Sequence, residues 1–221
     1  MKMTRYIFLS HTLSKTTPLY GGCGCIIIEP EKSMDKGDSC NTSILTFPAH
    51  SGTHIDSPLH FIKQGKSVDS YKAGDWVFTK PLVVDIPRNG PELIGKKDFE
   101  GKNYPEDTDI VLIKTGFENF RGKEHYWQNG PGLSPALAEY LAGRFSFLRA
   151  IGIDFISISS LHHRDTGRQA HCEFLGRNIL IIEDMSLKEL RSPEELIRVI
   201  VLPLRIAGGD GAPVTIIGKV V

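Results

Sequence analysis

His50-Ser51-Gly52-Thr53-His54-Ile55-Asp56-Ser57-Pro58-Leu59-His60 places three histidines and an aspartate in eleven residues. The 221-residue chain has eight histidines, so such a window would hold about 0.4 on composition alone. His50 and His54 have the i, i+4 spacing of a helical zinc motif. Helix is disfavoured by Gly52, by β-branched Thr53 and Ile55, and by Pro58, and in a helix Asp56 would project away from His50. The stretch therefore reads as a bend at Gly52 leading into extended chain. There His54, Asp56 and His60, an even number of residues apart, share one face. Two imidazoles and a carboxylate form a nitrogen/oxygen donor set suited to Zn²⁺ and tolerable for Mn²⁺ or Fe²⁺. Three protein donors leave positions open to water, which a catalytic metal needs. The ordinary role of one histidine in a strand, a hydrogen-bonded structural residue, does not account for this concentration. Further donors must come from elsewhere, and His162, His163, His171, Asp154, Glu173 and Glu183 are candidates that spacing alone does not separate.

Outward from this stretch, short apolar runs bounded by turn residues predict strands at 26–28, 44–47, 82–86, 110–113, 179–182, 199–204 and 214–217. Most are rich in Val and Ile without strict alternation, as in a sheet covered on both faces. A helix start is legible at Ser134-Pro135, with Gly143 at its end, and a capping box at Ser192-Pro193-Glu194-Glu195 predicts another. Residues 87–108, rich in Pro, Gly, Lys and Asp, read as a surface connection or a short insertion. Strands outnumber helices, so an α/β fold with a large mixed sheet is expected, in one domain spanning 1–221.

Lys and Arg total 26 against 26 Asp and Glu, with no basic run, which argues against nucleic acid as a partner. No apolar stretch approaches the ~18 residues of a membrane span, and Tyr6 to Leu9 is too short for a signal-peptide core. Cys23, Cys25, Cys40 and Cys172 form no CxxC pair or disulfide framework, so a cytoplasmic location is expected. Gly21-Gly22-Cys23-Gly24-Cys25 lacks the lysine of a phosphate loop and reads as a glycine turn. Gly208 to Pro213 reads as an Asp-Gly hairpin signal that could also lie beside a site. Trp127 and its aromatic neighbours read as core, with a pocket wall or subunit contact as the alternative.

The pattern His-x-Gly-Thr-His-x-Asp-x-Pro-x-His, complete from His50 to His60, resembles the signature of the cyclase-like metal-dependent hydrolases, a family that includes bacterial kynurenine formamidases. Weaker echoes run from Pro18-Leu19-Tyr20-Gly21 to Gly208-Gly209-Asp210-Gly211-Ala212-Pro213. The resemblance implies a swivelling β/β/α-type fold with a large mixed or barrel-like sheet and few covering helices. It also implies a homodimer or homotetramer and one or two divalent ions per subunit, Zn first and Mn second. On this pattern His50, His54 and Asp56 hold one metal, while Asp56, His171 and Glu183 hold a second. His60 is then the proton-transfer residue, and Tyr20 stands at the substrate-facing position where the formamidases carry tryptophan. The expected activity is hydrolysis of an amide (formamide or lactam) or ester bond in a small cyclic or aromatic molecule. The competing expectation is a catalytically silent, metal-stabilised binding protein of the same fold.

Overall fold

The computed structural model describes residues 4–191 and 195–221. In chain order its elements are β1 (Arg5–Phe8), β2 (Ile27–Lys32), β3 (Thr42–Thr46), β4 (His54–Asp56), β5 (Val77–Phe78), β6 (Pro81–Asp85), β7 (Leu93–Ile94) and β8 (Ile110–Lys114). There follow α1 (Glu124–Gln128), β9 (Gly132–Leu133), α2 (Pro135–Arg144), β10 (Ala150–Ile153), α3 (Arg164–Gly176), β11 (Leu180–Glu183), β12 (Leu196–Pro203) and β13 (Gly211–Val220). The main sheet runs β5-β12-β13-β4-β11-β10-β8-β6, with β1 also paired to β13. Strands β6, β8, β10 and β11 are mutually parallel, whereas β4, β13, β12 and β5 continue the sheet antiparallel. The ends of this path, β5 and β6, are separated in sequence only by Thr79 and Lys80, so the sheet curls into a nearly closed barrel. That junction is held by Asp109, whose carboxylate accepts both backbone N–H groups at 2.8 and 3.0 Å and the Arg149 guanidinium at 3.3 Å.

Alternation along the central strands explains why their sequences look continuously apolar. Val111, Ile113, Ile151, Ile153 and Ile181 face α2 and α3, while Ile110, Leu112, Ala150, Leu180 and Ile182 face the inside of the curl with Ile55, Val199 and Ile216. Each of the seven strand runs read from the sequence overlaps a strand and exceeds it by at most one residue at one end, and the Ser134-Pro135 start opens α2. The segment 87–108 departs from a plain surface connection: β7 pairs with β9, and Ile94 and Phe99 are fully buried. Their isolation among charged residues hid this anchor. Helix α3 was also unread, because its interior residues Gly167, Ala170, His171, Phe174 and Leu175 keep helical spacing but are interleaved with charge. The capping box at 192–195 falls largely on residues 192–194, outside the described residues; β12 begins at Leu196.

Glu118, in a 3₁₀ turn after β8, is buried and accepts the Leu187 N–H at 2.8 Å and the Ser186 hydroxyl at 3.3 Å. Desolvation, aided by the nearby charge of Asp154, raises its pKa to about 7. The folded chain therefore binds a proton that the unfolded chain releases near pH 4.5, and this group's contribution to stability falls as pH rises through 7. Glu118→Gln is expected to match the parent near pH 5 and to exceed it increasingly up to pH 7. The gap should grow by no more than about 1.4 kcal/mol per pH unit, less with residual solvent screening. Urea unfolding across that range checks this, and a constant gap would contradict it.

Candidate active site

Gly52, with φ of 60°, turns the chain between His50 and β4, a conformation that suits glycine. Beyond it β4 is only three residues long, yet it lies between β11 and β13, with His54 opposite Glu183 and Pro213, and Asp56 opposite Ile181 and Gly211. Period-two geometry sends His54 and Asp56 to the helix side of the sheet and Ile55 to the inner core. Glu183 ends β11 on that same helix side, and α3 brings His171 over them. His60 arrives by a different route from the shared extended face expected of it: the chain leaves β4, and a Pro58–His60 3₁₀ turn swings the ring back beside His50. The two rings stack at 4.0 Å between centroids. The proline at the first turn position fixes that change of direction.

These residues converge. His54 Nε2 lies 3.5 Å from Asp56 Oδ1 and 3.4 Å from Glu183 Oε2; His171 Nε2 lies 3.6 Å from Asp56 Oδ2 and 3.5 Å from Glu183 Oε1. Each histidine is oriented from behind, His54 Nδ1–H donating to the Gly52 carbonyl and His171 Nδ1–H to the Gly167 carbonyl, both at 2.8 Å. That arrangement turns both Nε2 atoms toward the carboxylates. Glu183 Oε1 is fixed by the Ser157 hydroxyl at 3.0 Å and the Ile158 N–H at 2.7 Å. His50 Nδ1 stands 2.8 Å from Asp56 Oδ1, and its Nε2 stands 2.9 Å from Asp210 Oδ2. Asp210 Oδ2 also meets His60 Nδ1 at 3.2 Å.

His54, Asp56, His171 and Glu183 are all buried, so the centre resolves its charge internally. Burial opposes ionisation of Asp56, but the imidazoles of His171 and His50 beside it, the latter hydrogen-bonded to Oδ1, hold it well below the usual carboxylate range. Glu183 resists burial and the like charge of Asp56 to fall to about 2, through His171 and His54. Against their own desolvation, His54 rises to about 9 and His171 to about 10 on the strength of the same carboxylates. Burial, opposed by Asp56, moves His60 below its ordinary value.

The residues fit a divalent cation. Two buried carboxylates face two imidazole nitrogens whose other nitrogens are already bonded outward, the arrangement that orients histidine ligands. Asp56 Oδ2 is buried without a hydrogen-bond partner among the described residues, an unmet acceptor that a cation would satisfy. His54, Asp56 and Glu183 have donor atoms close enough to share one ion, and so do His50, Asp56 and His60.

The centre forms the floor of a cavity of about 750 Å³, lined also by Tyr20, Phe61 and Ile156. The Tyr20 hydroxyl lies 3.5 Å from Ser159 Oγ, and Phe61 stacks on His171 at 4.5 Å. Other candidates are elsewhere. His162 is exposed and bonds Asn129 at 3.0 Å, and His163 is exposed at the start of α3. Glu173 is tied to Arg177, and Asp154 accepts the N–H groups of Thr115 and Gly116. Asp210 was not singled out from the sequence. Its signal was an acid inside a glycine run, which also reads as a turn, and the run does connect the antiparallel pair β12 and β13.

The chain matches the family model described as "Putative cyclase" over residues 7–160. It is 29% identical over 216 residues to a kynurenine formamidase of Bacillus thuringiensis (strain Al Hakam), covering 97% of each chain. It is 29% identical over 223 residues to cyclase-like protein 2 of Oryza sativa subsp. japonica, covering 95% of this chain and 77% of that protein. Its fold is similar to the solved structure of isatin hydrolase A from Ralstonia solanacearum, with a TM-score of 0.84 and 21% identity over 99% of this chain and 92% of the other.

A Cβ added at Gly211 would lie 2.4 Å from His50 Cε1 and 2.8 Å from the Ile55 carbonyl. Gly211→Ala is therefore expected to displace His50 and weaken Zn²⁺ or Mn²⁺ binding by about 10–100-fold, with the far-UV circular dichroism unchanged. Metal-buffered titration measures this; unaltered affinity would show that His50 holds no metal.

Proposed function

We propose a function from one premise: the chain belongs to the cyclase family, and its buried donor set is that of a metal-dependent hydrolase acting on a C–N bond. The substrate is a formamide or lactam, or a related ester, of a small cyclic or aromatic molecule. The observation that carries this reading is the pairing of Asp56 and Glu183 with His54 and His171 at 3.4–3.6 Å, with Asp56 Oδ2 unsatisfied. The names of the relatives, a kynurenine formamidase and an isatin hydrolase, support the same bond class. His50, His54, Asp56, His171 and Glu183 would hold one or two ions, zinc by donor type and manganese as the second choice. When bound, such an ion polarises a carbonyl and makes water acidic enough to attack at neutral pH.

The chain's own residues supply the remainder. A carboxylate only accepts, so His60 Nδ1 carries the hydrogen that Asp210 receives, and Nε2 is left with its lone pair. Nε2 takes the proton from the attacking water as the C–O bond forms, then returns it to the leaving nitrogen as the C–N bond breaks. Tyr20, Phe61 and Ile156 offer ring faces and apolar surface to a flat substrate and keep bulk water from one wall. The same reading makes the protein a cytoplasmic enzyme, which its four free cysteines, three of them exposed, support. No helix among the described residues is long and apolar enough to cross a membrane.

Chelation should abolish hydrolysis of formanilide or isatin, and Zn²⁺ or Mn²⁺ should restore it; activity indifferent to metal would overturn the mechanism. His60→Ala should lower kcat by about 10²–10⁴-fold while elemental analysis finds the metal retained. A matching loss of metal would make His60 a ligand, and retained metal with no turnover on any amide or ester would identify a binding protein.

The chain also pairs with a second copy in this reading. Met34, Ile44 and Leu45 are exposed on and beside the β2–β3 hairpin, and Phe8, Leu202 and Leu204 around one shallow depression, more apolar surface than isolated residues need. Light scattering should give at least twice the chain mass. Ile44→Asp with Leu45→Asp should shift it toward monomer; a monomeric parent protein would refute the pairing.

A further inference from the structure

We propose that Arg164 and Arg168 form a carboxylate-recognition element in the active-site cavity, so that the substrate is an amide bearing a carboxylate a few bonds from its scissile C–N bond. This rests on the hydrolase reading above and narrows its substrate class. Helix α3 delivers His171 to the buried centre, and Arg168 and Arg164 precede it by three and seven residues. That spacing places all three on one helix face. Both arginines and His171 line the cavity. At 1.5 Å of rise per residue, the arginines sit about 4.5 and 10.5 Å along the axis from the ligand. A guanidinium there holds an anion at the wall while a neighbouring carbonyl rests on the floor.

An unpaired guanidinium placed in the cavity separates Arg164 and Arg168 from the arginines that build the fold. Arg5, Arg88, Arg121, Arg144, Arg149 and Arg177 each meet a carboxylate. The Arg164 and Arg168 guanidinium groups have no ion pair or hydrogen bond among the described residues, and both exposed side chains line the cavity. Arg198 and Arg205 are likewise exposed without an ion pair among the described residues, but they lie on and beyond β12 and not in the cavity lining. Local helix energetics do not explain Arg164: it opens α3, where the positive end of the helix dipole disfavours a cation. Asp165 lines the same wall and offsets one of the two charges, leaving a net positive surface. A planar guanidinium matches the two oxygens of a carboxylate and binds it bidentately, which gives orientation as well as attraction.

The test compares N-formylanthranilate with its uncharged methyl ester on the metal-loaded enzyme. The expected result is a kcat/KM preference for the acid of about tenfold or more, shrinking with added salt. Arg168→Gln should collapse the ratio toward unity, Arg164→Gln should reduce it, and Arg168→Lys should restore part of it. Arg177→Gln, on a residue outside the cavity, should leave the ratio as it was. An acid-to-ester ratio unmoved by Arg168→Gln, or a parent enzyme that favours the ester, overturns the proposal. Should neither compound turn over, hydrolysis of this class fails as a reading, and calorimetric binding of anthranilate decides the recognition element separately. Affinity about tenfold weaker in Arg168→Gln than in the parent supports it, and equal affinity overturns it.

Discussion

Two carboxylates buried side by side are the constraint around which this protein is arranged. Asp56 and Glu183 lie on adjacent strands, almost wholly removed from water, and both are held in the ionised form. Burying one unpaired charge costs several kcal/mol, and two of the same sign repel as well. Such a pair persists only if positive charge is supplied on the spot. The chain supplies it as raised imidazole pKa values at His54 and His171, and a divalent cation bound there would replace those protons with a stronger and fixed charge. The alternative, hydrophobic side chains at 56 and 183, would suit the surrounding core better and remove the chemistry.

The fold keeps this costly centre in register by short range. A three-residue strand would be marginal alone, but β4 is bonded on both sides, and its neighbours are pinned nearby. Thr53 donates to the Asp184 carbonyl at 2.6 Å, tying the start of β4 to the end of β11. The Asp184 carboxylate receives Arg121 Nε and Nη2 at 2.8 Å and the Tyr126 hydroxyl at 2.5 Å. This ion pair, one residue beyond Glu183, shares the constraint of the centre: its acid is buried and fully bonded, so the strand end cannot shift without exposing a charge. A one-residue slip of β4 would send Ile55 into the cavity and both His54 and Asp56 into the inner core, which makes the register strongly specified.

What was legible in the sequence follows from how local each signal is. The 50–60 stretch announced its chemistry because His50, His54 and Asp56 lie within seven residues, and Gly52 and Pro58 gave the bends away. The expected extended face held for His54 and Asp56. It failed for His60, where proline diverted the chain into a turn that still returned the imidazole to the site. His171 and Glu183 came from family resemblance, since twelve residues and a helix-to-strand passage separate them and no periodicity links the two. Asp210 could not be read. Its role depends on the β13–β4 pairing, a contact spanning some 150 residues that only the assembled sheet reveals. The barrel-like closure was equally hidden, because it depends on β5 and β6 being consecutive in the chain yet terminal in the sheet.

Helix α3 shows why a functional element can defeat pattern reading. Ala170, Phe174 and Leu175 fix it to the sheet, and these few contacts must hold a segment whose remaining surface is polar. An ordinary surface helix would place its charges away from the protein. Here the stripe through Arg164, Arg168 and His171 lines the cavity, so one set of packing contacts positions both His171 and the charges above it. The polarity that weakens the helical signature is therefore the same polarity that the cavity requires. The order of charge follows from it: anionic at the floor, where a cation belongs, and cationic at the wall, where an anion belongs. On the reading proposed above, a molecule that satisfies both layers would carry a carbonyl oxygen for the first and a negative group for the second, and neither layer alone would fix its orientation.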